Sequence, residues 1–242
     1  MSALPWDAPP VVERHGRFVV VREDLVEGGS KTRFLPGLVR GAGEVVYGGP
    51  FCGGAALALS VIGKHLGFRT SLFYARRKVM HRRQLAAQAN GARLFLVKFG
   101  RLSNVQAKAR RYAAEAGARF LPMGFDEPAA EEPFVAFMAG RVRPLVGDPP
   151  EVWCATGSGM LARCLARAFP ASRVRAVAVG LESRWSKQAM PPNVEVVPAG
   201  VPFEEESRAP CPFPCDGNYD RKAWAAAQAT AAEGALFWNV VA

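Results

Sequence analysis

Short apolar runs alternate along this chain with longer segments of helical periodicity, and the alternation predicts most of its elements. Residues 17–22 (RFVVVR) and 44–47 (EVVY) read as strands, the second followed by a glycine-rich turn and an apolar helix over about 55–66. A strand at 70–74 (TSLFY) precedes a basic helix over about 81–90, ended by Gly91. A strand at 93–98 (RLFLVK) precedes a helix over about 104–116, ended by Gly117, and 119–122 reads as a short strand. A helix over about 131–142 leads to a buried strand at 151–155 (EVWCA), then a turn at Gly157 and a helix over about 160–169. Strands at 174–179 and 194–197 and a helix over about 221–233 complete the pattern. Strands alternating with such helices imply βαβ units, an α/β class and a mostly parallel sheet. Proline-containing stretches at 125–133 and 143–150 suggest a boundary near residue 140, and 198–220 reads as an ordered, irregular connection.

Half of the 242 residues are hydrophobic, enough for a substantial core. No run approaches the roughly 18 apolar residues of a membrane span. The start, MSALPWDAPPVVERHG, lacks the basic and apolar regions of a secretory signal, so a cytoplasmic protein is expected. Cys52, Cys154, Cys164, Cys211 and Cys215 have no framework spacing and are expected as free thiols. The CPFPC pair has no second pair to complete a zinc site, and no metal is expected.

The charge changes the picture more. The net charge is +10, and residues 45–125 hold fourteen Lys or Arg against one acid, Glu115. Such a segment attracts polyanions, with nucleic acid the usual one. Arg76, Arg77, Lys78, Arg82, Arg83, Arg110 and Arg111 are the expected contacts.

Three segments carry candidate chemistry. In REDLVEGGSKTR, Lys31 follows two glycines at an expected helix start, where a cation is disfavoured unless its charge is masked; taken alone, an exposed lysine is the simpler reading. After the strand at 151–155, Thr156, Gly157, Ser158 and Gly159 turn into the helix opened by Met160. Glycines there let backbone N–H groups approach a phosphate, although a plain tight turn fits equally. It has neither the P-loop lysine nor the third glycine of a dinucleotide fingerprint. The third segment, DGNYDRKAW from Asp216, reads locally as a turn capping a helix.

In this order the three resemble the fold-type II pyridoxal-phosphate (PLP) enzymes, the tryptophan-synthase-like class. The 1-aminocyclopropane-1-carboxylate deaminase and D-cysteine desulfhydrase branch is the most similar. There an R-E-D-L segment precedes G-G-N-K-x-R, whose lysine carries PLP as a Schiff base; here that residue is Lys31. The T-G-S-G turn is the family's phosphate site, and DGNYDRKAW with the later LFWN stands where the family has D-P-V-Y-x-G-K-A and a terminal strand. The resemblance implies that Tyr219 lies over the site as a ring contact or acid/base group. It also implies that Asp220 faces the pyridine nitrogen and favours a stronger electron sink. Where the family has G-G-x-Q-S-N-H, this chain has GGPFCGG, so Cys52 replaces a serine and Gly53 the asparagine on the cofactor hydroxyl. That leaves room for a larger substrate.

The resemblance implies a PLP-binding domain from residues 1–39 and 139–242, with a smaller basic domain of 40–138 inserted and the cofactor between them. It implies a PLP-dependent lyase working at Cα by decarboxylation, elimination or C–N cleavage, and extends homodimers to this chain as an expectation. A trimmed enzyme with a basic flank is similar to those of bacteriophage pathways that hypermodify thymine. The expected substrate is accordingly a glycine- or serine-type amino acid attached to thymine in DNA, flipped out to reach the cofactor. The alternatives are a deaminase or desulfhydrase of a small free amino acid, and a PLP-fold binding protein without catalysis.

Overall fold

The computed structural model describes residues 4–98, 100–125, 127–180 and 190–241. The chain opens with β1 (Val12–His15) and β2 (Phe18–Arg22), then builds β3 (Glu44–Gly48), β4 (Arg69–Ala75), β5 (Arg93–Val97) and β6 (Arg119–Leu121). It returns through β7 (Glu151–Thr156), β8 (Arg173–Ala178), β9 (Val194–Pro198) and β10 (Leu236–Asn239). These strands form a six-stranded sheet, β1-β2-β10-β7-β8-β9, and a four-stranded sheet, β5-β4-β3-β6. Every pairing is parallel except the β1–β2 hairpin. The α/β class and the parallel sheet match the expectation from the sequence; β1, only four residues long with charged side chains, carried no apolar run to announce it.

The central strands are covered on both faces, as parallel sheets require. All five residues of β3 are buried, and in β7 only Glu151 is not. β10 lies between β2 and β7, pairing Trp238 with Val21 on one side and Cys154 on the other, so the last strand joins the two ends of the chain.

The helices are α1 (Leu35–Val39), α2 (Gly54–Leu66), α3 (Arg82–Ala89), α4 (Leu102–Ala116), α5 (Pro128–Phe137), α6 (Arg143–Val146), α7 (Met160–Ala168) and α8 (Asp220–Thr230). α2 is apolar enough to bury Ala55, Ala58, Leu59 and Ile62, and ends where Gly67 takes φ +79° and donates to the Gly63 carbonyl. α3 starts with a reciprocal cap: His81 Nδ1 accepts from the Arg83 amide and Gln84 Oε1 from the His81 amide. The helix expected over 131–142 begins earlier, because Pro128 fits a first turn, and continues as a π-helical turn (Met138–Val142) into α6. No helix among the described residues is long and apolar enough to cross a membrane.

The carboxyl ends of the strands give the fold its crevice. β7 ends at Thr156 and feeds α7; β3 ends at Gly48 and feeds α2 through the 49–53 turn. Both turns open onto one cavity.

Candidate active site

The segment bearing Lys31 is held by the charged residues that flank it. Arg22 grips Asp24 with two hydrogen bonds, 2.9 and 2.8 Å. Glu23, fully buried, receives Nε and Nη2 of Arg33 at 2.9 and 2.7 Å, and Arg33 Nη1 also donates to the carbonyls of Trp6 and Ala8. The first of the two glycines bends the chain at φ +83° and the second at +76°; a Cβ on Gly29 would lie 2.5 Å from the Val240 carbonyl. Lys31 therefore sits in a short 3-10 turn, Ser30–Arg33, that is pinned to β10, with Trp238 Nε1 donating to Ser30 Oγ at 2.9 Å.

At the end of β7 the backbone turns through Gly157 and Ser158 to Gly159, at φ +89°, and α7 begins at Met160. The amides of this first turn have no partners inside the helix and, with the helix dipole, favour an anion. Thr156 Oγ1 is buried without a hydrogen-bond partner. A Cβ at Gly157 would stand 3.7 Å from the Tyr219 ring, so the turn is bare on the side facing that ring.

The third segment is fixed by Asp216. Its Oδ1 accepts from the amides of Asn218 and Tyr219 at 3.0 and 2.9 Å, which sets Tyr219 at the cap of α8 and Asp220 at its first residue. Asp220 is fully buried; Oδ2 accepts from the Val241 amide at 3.3 Å, and Oδ1 has no partner.

These pieces meet. A cavity of about 820 Å³ is lined by Lys31, Thr156, Gly157, Ser158, Gly159, Met160, Tyr219, Asp220 and Gly53, with Phe34, Tyr47 and Phe134 as apolar wall. Burial lowers the Lys31 amine from its usual range, assisted by Arg83 and opposed by Asp220. Burial raises Asp220 well above the carboxylate range, with Asp216 adding to it, and it likewise raises the Tyr219 phenol. A carboxyl with a free buried oxygen and an unpartnered hydroxyl beside a helix start are unmet polar groups, and beside them stands a lysine with no ion pair seen among the described residues. An anionic, nitrogen-containing ring with an electrophilic carbon fits these groups.

The remaining expected site residues are placed in different ways. Cys52 does not line the cavity: it is fully buried behind the 49–53 turn, with its thiol pushed up to about 11 by burial. Arg83, expected on DNA, lines the cavity but is 3% exposed and ion-paired to Asp216, so it offers no outer surface to DNA. Arg82 is exposed and shares Asp216 at 3.3 Å. Arg76, Arg77 and Lys78 follow β4 at the carboxyl edge of the smaller sheet and are exposed; of these Arg77 lines the cavity, stacked over Phe51 at 3.8 Å. Arg110 and Arg111 lie within α4, one over the Phe120 ring and the other 3.7 Å from Glu115, and neither lines the cavity. Reading the sequence missed Arg101, which caps α4 at the same edge, and Phe203 and Glu204 from the irregular connection. Arg101 was one cation among many, and the other two carried no local signal.

No protein-family model and no curated protein matches the chain. Solved structures do. An ACC deaminase homologue superposes with a TM-score of 0.74 over 93% of this chain and 84% of its own, at 18% identity. The fold is that of the fold-type II PLP enzymes. O-ureido-L-serine synthase superposes with a TM-score of 0.71 over 100% of this chain and 92% of its own, at 17% identity. The O-acetylserine-dependent cystathionine beta-synthase of Helicobacter pylori gives 0.68 over 100% and 95%, also at 17% identity. At such identities the likeness is one of architecture.

Proposed function

We propose that this protein is a PLP-dependent enzyme that breaks a bond at Cα of an amino acid, with Lys31 as the residue that carries the cofactor. The observation that supports this most is the meeting of Lys31 with the 156–160 turn across one cavity, with Asp220 in the same wall. PLP, when bound, supplies a sink for the electron pair left at Cα. The amides of 157–160 and the Thr156 hydroxyl would hold its phosphate, and Asp220 would hold a proton at its ring nitrogen. Burial disfavours the Lys31 charge and so makes its amine a better nucleophile than a solvated lysine; once released, it is a base or acid beside Cα. Tyr219 keeps its proton and can donate it.

For the substrate we propose an amino acid carried on thymine in DNA, decarboxylated or cleaved in place. The cations support this: Arg77 and Arg101 stand in the cavity wall, with Arg76, Lys78 and Arg82 exposed near it. Gly53 and Gly54 line the cavity without side chains of their own, which is in keeping with a bulkier substrate. A flipped nucleotide would enter here, its backbone against the rim. The second reading is a small free amino acid, favoured by the superposition on the ACC deaminase homologue.

Incubation with PLP should give a visible absorbance that Lys31→Ala abolishes; a colourless native protein would refute the cofactor. Duplex DNA should then be retarded with a steep salt dependence, and nucleosides from modified DNA should change mass after incubation. No retention at low salt, together with turnover of a free amino acid, selects the second reading.

A further inference from the structure

The cavity wall contains one cation to which the proposed chemistry gives no role. Arg83, on α3, donates from Nη1 to the Cys52 carbonyl at 2.6 Å and holds Nη2 2.9 Å from Asp216 Oδ2 as an ion pair, while neither Nη2 nor Nε makes a hydrogen bond. Buried charge requires compensation, and Asp216 supplies only part of it. Its Oδ1 already accepts two backbone amides, and its Oδ2 is shared with Arg82 at 3.3 Å. Two guanidinium groups thus share one carboxylate. The other buried carboxyl of this wall, Asp220, accepts from the Val241 amide rather than from Arg83. Arg83 stands in the cavity wall as a buried cation whose carboxylate partner is shared with an exposed arginine and whose Nε is unsatisfied.

The cofactor has a negative group that this charge would meet. Around its ring the phenolic oxygen lies on the far side of the aldehyde carbon from the phosphate arm. If the arm rests on 156–160 and the carbon reaches Lys31, the oxygen is turned away from 156–160. The 49–54 turn of the other sheet brings Gly53 and Gly54, which have no side-chain donor, and Arg83 is fastened to that turn through the Cys52 carbonyl. We propose that Arg83 is the residue that faces the phenolic oxygen of the cofactor and holds it ionised, with Asp216 as the counter-charge that it shares with Arg82.

This rests on the cofactor reading, and the experiment separates the two. PLP-loaded protein is titrated with pH while the visible absorbance of the Lys31-linked cofactor is followed. A facing cation lowers the pH at which the proton between the ring oxygen and the lysine nitrogen is lost. Arg83→Gln should raise that midpoint by about 1–3 pH units, and Arg83→Lys should restore most of the difference. Asp216→Asn keeps the guanidinium and removes the anion beside it, so its midpoint should fall below that of the native protein. A native midpoint in coloured Arg83→Gln overturns the inference and leaves the cofactor in place. If Arg83→Gln does not fold, an unchanged or raised midpoint in Asp216→Asn overturns it equally. A colourless native protein removes the cofactor reading instead.

Discussion

Glu23 and Arg33 close a bidentate ion pair, 2.9 and 2.7 Å, across the turn that presents Lys31, and neither side chain is more than 1% exposed. This gives the R-E-D-L and K-x-R residues a physical meaning. They do not touch the cavity; they hold the lysine that does. Removing one partner of a buried pair leaves the other charge uncompensated, at about 3–5 kcal/mol. Glu23→Ala should therefore destabilise the fold by that much, read as a lower denaturant midpoint, and weaken cofactor uptake with it. Arg143→Ala, which breaks an exposed pair with Asp148 in high dielectric, should leave the denaturant midpoint close to that of the native protein.

Lys31 and Asp220 should each destabilise the cofactor-free protein near neutral pH. Burial lowers the Lys31 pKa below its ordinary 10.5, so as pH falls through the window between the two values the unfolded chain takes a proton that the folded chain refuses. Stability from this site is lost downward. Burial raises the Asp220 pKa above its ordinary 3.8, so stability is fully present below 3.8 and lost as pH rises through the folded value. Lys31→Met and Asp220→Asn should each gain about 0.5–2 kcal/mol without cofactor. The melting temperature should rise by about 2–4 °C per kcal/mol, while cofactor uptake or turnover is lost. A fall in Tm for both variants would show that the two charges support each other.

Glycines 29 and 157 should respond differently to alanine. At Gly29 the left-handed backbone and the Val240 carbonyl at 2.5 Å leave a Cβ no place, so Gly29→Ala should destabilise by more than about 1 kcal/mol and displace Lys31. At Gly157 the nearest atom would be 3.7 Å away, an ordinary contact, so Gly157→Ala should melt like the native protein. Its methyl group would project over the turn assigned to the phosphate and should weaken PLP binding about tenfold or more, equivalent to about 1.4 kcal/mol. Equilibrium dialysis with PLP reads the second effect and thermal melts the first.

The fold was legible wherever one strand or helix imposed its own period. β3, β4, β5 and β7 are apolar runs bounded by turns, and Gly67, Gly91 and Gly117 stand where helices end. What the pattern could not carry was the direction of individual side chains. Arg83 and Arg77 are both arginines of one basic stretch; the fold buries one against Asp216, far along the chain, and leaves the other at the cavity mouth. Cys52 sits in a turn whose neighbours line the cavity, yet its own side chain turns into the core. Phe203 and Glu204 reach the cavity from a connection without periodicity, where position depends on long-range packing alone.

The distribution of cations gives the DNA reading its sharpest test. Arg77 and Arg101 line the cavity, whereas Arg110 and Arg111 do not and lie along α4. If a nucleotide enters the cavity, the strand that carries it must cross the mouth. Each cation removed from a phosphate there should reduce the slope of log affinity against log salt by about 1. The Arg77→Ala/Arg101→Ala double variant should therefore lower the slope by about 2, and Arg110→Ala/Arg111→Ala should lower it less. Retention measured across a salt series with one duplex reads both. The opposite ranking would place the bound strand along α4, away from Lys31, and would separate DNA binding from the chemistry of the cavity.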